Sequence, residues 1–370
     1  MKYNYLTMLT ALILLAGMSI TCEQTPAGSQ VALPVNLTTT ITVNEGTVEI
    51  QASADGANFY SFLFEENGDT TYVEAEDGYG SYTYSSSGSY TVISRAHTLA
   101  YEYVEVMETV TIALADDPVT GIPETGYSTP LEYPGYTLVW HDEFEGTSLS
   151  ADWVHDIGTG ASGWGNNELQ YYRPENTTVN DGLLIITAKQ ENFGGRNYTS
   201  SRIKTQGQQA FSKGRIDIRA ALPYGQGIWP ALWMLGENFP TVGWPACGEI
   251  DIMELVGGAG TNDRTVHGTV HWLNAGAHAS YSGSNTLSEG KFADAFHVFS
   301  IIWNDTSIKW LRDDMQYHAA DITPAELSEF QNAFFFILNI AVGGNWPGSP
   351  DATTVFPQTM AVDYVRVFQQ

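Results

Sequence analysis

Basic residues are scarce in this chain. Lys and Arg total 15 against 42 Asp and Glu, a formal net charge of -27 over 370 residues. Such a surface repels phosphate backbones, which argues against nucleic acid as a partner. It argues equally against a sulfated substrate, which would ask for a basic cleft. Cysteine is nearly absent, with only Cys22 and Cys247. Cys22 sits at the end of an apolar N-terminal run, so only Cys247 remains in the body of a processed chain, and no intramolecular disulfide is possible there. That apolar run begins near Leu6 and includes Leu12 to Met18. It is too short to favour a membrane-spanning helix. Tryptophan is missing from the first 139 residues, although the chain has 10. No alternation of strands with helices is present, which argues against Rossmann and TIM folds.

What is present begins with an export signal. Lys2 supplies the positive start, the apolar run follows, and Ser19-Ile20-Thr21-Cys22 closes residues 1–22. A Cys directly after the apolar core resembles a bacterial lipoprotein box, which implies lipidation of Cys22. The expected location is outside the cytoplasm, anchored in the outer membrane or at the cell surface, or otherwise secreted. Residues 23–30 form a polar spacer. Residues 31–115 carry alternating β-branched runs such as Ile41-Thr42-Val43 and Tyr90-Thr91-Val92-Ile93, separated by Gly, Asn, Asp and Ser. This spacing predicts a small immunoglobulin-like β-sandwich. The run Gly88 to Ala96 weakly resembles a polycystic-kidney-disease-type repeat. A spacer role is expected for this module, with Tyr79, Tyr82 and Tyr84 its one aromatic cluster near a turn. Residues 116–134 contain four prolines and are expected as a linker.

Residues 135–370 return to strands, among them Leu183 to Thr187, Gly214 to Arg219, Val298 to Trp303 and Val362 to Val367. One helical segment is expected at Pro324 to Gln331. The pattern predicts two packed antiparallel sheets, an all-β architecture, with an acidic strand on a concave face. That strand is Glu249-Ile250-Asp251-Ile252-Met253-Glu254. In a regular strand alternate side chains share a face. Glu249 and Asp251 are in phase, and Glu254 is not. A β-bulge at Ile252-Met253 would bring Glu254 back. Three crowded carboxylates repel one another, which marks the strand as a site more than a scaffold.

The segments around this strand carry a resemblance. Gly248-Glu249-Ile250-Asp251-Ile252-Met253-Glu254 follows Trp229-Pro230-Ala231-Leu232-Trp233. Upstream stand Gly163 to Tyr172, G-W-G-N-N-E-L-Q-Y-Y, and Tyr198 to Ile203, Y-T-S-S-R-I. Downstream stands Asn339 to Gly348, N-I-A-V-G-G-N-W-P-G. Together they resemble glycoside hydrolase family 16 in its bulged branch, and laminarinase-type endo-β-1,3-glucanases in particular. The resemblance covers Tyr136 to the C-terminus. One departure is Ser201, where the family usually has Gly before the Arg.

The resemblance implies a jelly-roll (concanavalin-like) sandwich and retaining hydrolysis of a β-1,3-glucan. It implies Glu249 as nucleophile, Glu254 as acid/base and Asp251 between them. Substrate contacts are expected from Trp229, Trp233, Asn167, Arg202, His271, Trp272, Asn339 and Trp346, while Trp303 and Trp310 look like core. His267 and His271 share a strand face, a zinc-like spacing with no third ligand evident, and a hydrogen-bonding role is preferred for His271. No catalytic cofactor is expected. The resemblance also implies a structural calcium on the convex side, held by Glu143, the carbonyl of Gly182 and Asp363, oxygen donors that suit the ion. A monomer is expected. Two other readings stay open. One is a glycanase of the same family acting on mixed-linkage glucan or a marine galactan. The other is a non-catalytic lectin, which has no need of three acids in phase.

Overall fold

The computed structural model describes residues 31–44, 46–66, 69–84, 88–112 and 121–370. The signal segment and Cys22 lie outside these residues. The chain divides into two compact units, Met1–Thr120 and Gly121–Gln370.

Among the described residues, the first unit is a sandwich of seven strands. One sheet holds three, Val35–Asn44, Thr47–Asp55 and Tyr79–Thr83, and the other holds four, Asp69–Ala75, Phe59–Glu66, Gly88–Leu99 and Glu102–Ile112. All pairs are antiparallel. Strand Thr47–Asp55 shows why the sheets face each other: Val48, Ile50 and Ala52 alternate inward and are buried, against Phe62, Phe64 and Val92. This matches the expected immunoglobulin-like architecture. The tyrosine cluster is mostly internal. Tyr84 is buried, and Tyr82 stacks on Phe64 and meets Tyr84 edge-on. Only Tyr79 is exposed.

The second unit is built from two large antiparallel sheets. The seven-stranded sheet runs Ala277–Thr286, Thr265–Asn274, Glu249–Leu255, Ile228–Gly236, Phe334–Val342, Arg202–Lys204, Val154–His155. Its partner sheet has eight strands, with Gly214–Ala221 and Gln358–Gln369 near its middle. Between them lies one apolar core that includes Ile250, Ile252, Met253, Phe299, Trp303, Trp310, Leu338 and Val365. Burial of this extent is the dominant stabilising term, and no disulfide is present among the described residues. Cys247 is buried and unpaired. Trp303 and Trp310 are core, as expected.

One expectation is corrected. Residues 121–134, the described part of the linker expected at 116–134, belong to the second unit. Thr129 N–H and hydroxyl meet the Tyr364 hydroxyl, each at 2.8 Å, and Tyr133 donates to Asp217 at 2.8 Å. Prolines stop this stretch from forming a central strand, but its remaining polar groups still find partners on the sheet. The helical segment expected at 324–331 is present as a 3-10 helix, Ala325–Gln331, with non-helical dihedrals at Leu327.

Candidate active site

The acidic strand Glu249–Leu255 has neighbours on both sides, and their registers locate the bulge. Toward Ile228–Gly236, Trp233 faces Asp251 and Leu232 faces Met253, leaving Ile252 without a partner. Toward Thr265–Asn274, Thr269 faces Asp251 and His267 faces Glu254, so Gly268 alone spans Ile252 and Met253. The bulge is where the spacing of the acids asks for it. Ile250, Ile252, Met253 and Leu255 all enter the core. Glu249, Asp251 and Glu254 pair with His271, Thr269 and His267, alternate residues on one face of the next strand. The three carboxyls therefore share the opposite face from the core.

Their surroundings are tight. His271 Nε2 lies 3.1 Å from Asp251 Oδ2 and 3.7 Å from Glu249 Oε1. The Trp229 indole N–H donates to Glu254 Oε1 at 3.0 Å. Asp251 is 2 % exposed and Glu254 9 %, while the Glu249 side chain keeps 17 %. Burial pushes the carboxyl of Glu254 up to about 8, and repulsion from Asp251 adds to it. Burial also raises Glu249 and Asp251, with Asp251 repelling Glu249 and His271 partly offsetting this. All three carboxyls are raised alike, so the asymmetry between them is one of contacts: Glu254 is the more enclosed and is held by Trp229, while Glu249 is the more open and lies beside His271.

Glu249, Asp251 and His271 also place ligand atoms within 4.8 Å of one another. His267 does not complete that group. Its ring meets Trp346 edge-on, with centroids 5.0 Å apart. The zinc-like spacing of the two histidines is accounted for by two separate roles along one strand.

Most expected substrate residues gather around the acids. Trp346 is 47 % exposed and meets Trp229 edge-on at 5.7 Å. Asn167, on the loop Gly163–Asn167, donates from Nδ2 to Asn345 Oδ1 at 2.9 Å, tying that loop to the one that carries Trp346. The Arg202 guanidinium lies 4.8 Å from the ring centroids of both Trp164 and Trp233 and pairs with Asp156 at 3.0 Å. Asn339 is the one polar residue in the strand Phe334–Val342. It accepts from the Trp233 indole at 2.8 Å and is itself buried, so it positions Trp233. Ser201, the departure from the family pattern, is buried and accepts a hydrogen bond from Thr177 at 2.6 Å.

Trp272 is corrected. Its neighbour His271 faces the acids, and adjacent strand residues point to opposite faces. Trp272 accordingly packs against the core between the sheets.

Three features escaped the sequence reading. Glu168 is buried and accepts from Gln170 at 2.7 Å and from Tyr172 at 3.2 Å. Tyr172 in turn accepts from Asn339 Nδ2 at 3.2 Å, so Glu168 anchors the network that holds Trp233. His278 approaches His271 from the outer strand. Trp244, 48 % exposed, lies over His278 with ring centroids 4.7 Å apart. Trp244 opens the acidic stretch in sequence, and an exposed aromatic beside a catalytic strand is a legible signal.

The residues expected to hold calcium meet at one junction. Asp142 pairs with Val365 and Leu184 with Val362, on the same edge of the strand Gln358–Gln369. Glu143 and Gly182 thus end side by side next to Asp363 and Tyr364. Hard oxygen donors at a strand junction fit the ion. Both Glu143 oxygens accept from Arg366, at 2.8 and 2.7 Å, and Asp363 pairs with Arg219 at 2.7 Å. An ion here has to share or displace those guanidinium groups.

The model of glycosyl hydrolases family 16 matches residues 166–366. The chain belongs to this family. A second model, beta-glucan synthesis-associated protein SKN1/KRE6/Sbg1, matches residues 43–249. It runs through the N-terminal module and gives the polycystic-kidney-disease resemblance no support. The chain is 41 % identical over 252 residues to the beta-glucanase of Rhodothermus marinus, covering 64 % of this chain and 86 % of that protein. It is 44 % identical over 239 residues to the clotting factor G alpha subunit of Tachypleus tridentatus, covering 64 % of this chain but only 34 % of that subunit. The laminarinase catalytic domain from Thermotoga maritima MSB8, solved with cetyltrimethylammonium bromide, superposes with a TM-score of 0.58 at 45 % identity, over 64 % of this chain and 98 % of that one. The jelly-roll sandwich of this family is the fold of the second unit.

Proposed function

We propose that this glycoside hydrolase cleaves internal β-1,3 linkages of a laminarin-like glucan with retention of configuration. The bulge at Ile252-Met253 carries the reading. It turns Glu249, Asp251 and Glu254 to one face beside Trp229 and His271, an arrangement a lectin does not require. The similarity to a beta-glucanase and a laminarinase supports the substrate class.

The first step is attack by a Glu249 oxygen on the anomeric carbon. The carbon–oxygen bond to the leaving sugar breaks, and Glu254 gives its proton to that oxygen. A glycosyl ester on Glu249 results. Water then attacks the same carbon, Glu254 takes its proton, and the ester bond returns its electron pair to Glu249. Two inversions restore the β configuration. Asp251 and His271 surround Glu249 and set the charge balance of each step. Trp229 does more than offer a face to sugar, because its N–H holds the Glu254 oxygen at 3.0 Å. Product analysis on laminarin, lichenan, agarose and carrageenan side by side tests the assignment. Oligosaccharides chiefly from laminarin support it, and preference for agarose or carrageenan overturns it.

The remaining parts of the reading concern stability and place. Calcium at Glu143, Gly182 and Asp363 is supported by the strand register and would serve the fold, since the junction lies on the sheet opposite the acids. Export with a lipid on Cys22 is supported by Lys2, the apolar run and the position of the cysteine. Cys22→Ala should then release the protein from membranes, and wild-type protein already free of membrane would contradict the anchor. The seven-stranded module acts as a spacer, consistent with a tyrosine cluster turned mostly inward. The protein acts as a monomer.

A further inference from the structure

His271 Nδ1 and His278 Nε2 stand 2.8 Å apart, with their rings at an interplanar angle of 17°. Two lone pairs repel at that distance, and so do two N–H groups. One proton therefore lies between the rings. We propose that His278 is a positioning residue for the hydrolytic reaction: its hydrogen bond to His271 Nδ1 holds that ring with Nε2 turned toward Glu249 and Asp251.

Consider the proton inventory. When His278 donates, the neutral His271 must carry its proton on Nε2, facing Asp251 at 3.1 Å and Glu249 at 3.7 Å. The reverse direction, with a neutral His271 donating from Nδ1, also leaves one proton between the rings, but it turns the bare Nε2 lone pair toward two carboxyl groups, so the carboxyl groups favour His278 as the donor. The groups that bear on His271 are Glu249 and Asp251, Glu254 further along the same strand, and His278 from the strand Ala277–Thr286. Trp244 covers His278 and adds no charge. His278 is exposed at the rim and reaches the site through its bond to His271.

The inference rests on the hydrolase reading, and its test separates the two. The full chain is prepared with nitrogen-15 histidine as wild type, His278→Ala and His278→Gln. Nitrogen shifts of His271 report its tautomer with no substrate present. Laminarin hydrolysis is followed in parallel across pH. In His278→Ala, the nitrogen shift of His271 Nδ1 should move toward that of a water-bonded imidazole nitrogen, kcat should fall about tenfold with KM within about twofold, and the pH profile of kcat should shift. The Gln amide can donate or accept, so His278→Gln should restore a hydrogen bond to His271 Nδ1 and most of kcat. Unchanged His271 shifts and an unchanged pH profile in His278→Ala overturn the proposal. A Gln variant as impaired as the Ala variant overturns it as well. Absence of laminarin hydrolysis in wild type would count against the hydrolase reading, while the tautomer measurement still decides the role of His278.

Discussion

The indole of Trp310 donates its N–H to the carbonyl of Asp251 at 2.8 Å, reaching across from the opposite sheet. A bulge interrupts the ladder, and a carbonyl freed by it needs a donor. Trp310 supplies one from within the core. The ring reaches that carbonyl because residue 268 is glycine. A Cβ at Gly268 would sit 2.4 Å from the Trp310 ring. The catalytic bulge is thus held from behind as well as by its neighbours in the sheet.

Gly268→Ala should therefore be destabilising by about 1–3 kcal/mol, the range for overpacking a close-packed core. Urea unfolding at unchanged m-value measures it. Equal midpoints for variant and wild type would remove the close approach from the account. Trp310→Phe keeps much of the volume and strands the Asp251 carbonyl, a loss of about 1–3 kcal/mol. Its activity should fall more than its stability alone explains.

Parity along the strand predicts the effect of changing its length. Insertion of one Ala after Met253 should abolish hydrolysis while the protein stays folded by circular dichroism, because Glu254 would turn into the core. Deletion of Met253 gives E-I-D-I-E, with the acids in phase and no bulge. Some activity should survive if Trp310 and Gly268 accommodate the regular strand. An active insertion variant would contradict the phase argument.

The raised carboxyls link stability to pH. Glu254 is lifted from an ordinary value of 4.5 to about 8. The folded state then holds a proton that the unfolded state has released between those values. Stability from this group is full below about 4.5, falls as pH rises, and is lost above about 8. Glu254→Gln removes the titration and keeps the shape. Its melting temperature should exceed wild type by more at pH 8 than at pH 5, and its hydrolysis should be nearly gone. A difference in melting temperature that does not change between the two pH values would argue that Glu254 is not proton-loaded.

Calcium should raise the melting temperature of wild type and leave turnover at low temperature nearly unchanged. Asp363→Ala should remove most of that rise. A melting temperature indifferent to chelator would leave Glu143 and Asp363 as partners of Arg366 and Arg219 alone.

The sequence made the catalytic strand readable because its meaning lies in parity, a property of adjacent residues. The same rule, applied one residue further, would have separated His271 from Trp272, whose side chains leave the strand on opposite faces. Glu168 was not readable in this way. Its role depends on Tyr172, Asn339 and Trp233, which come together only when three distant segments pair. Residues 121–134 look like a linker by composition, yet Thr129 and Tyr133 find partners on strands more than 80 residues away. Composition reports backbone preference and carries no record of such long-range bonds.

The stereochemistry of the first product tests the central claim most directly. Laminarin is hydrolysed in an NMR tube, and the anomeric protons are read before mutarotation. The account predicts that the β-anomer forms first and the α-anomer grows in later. An initial α-anomer would mean a single displacement by water, and would contradict Glu249 as the nucleophile.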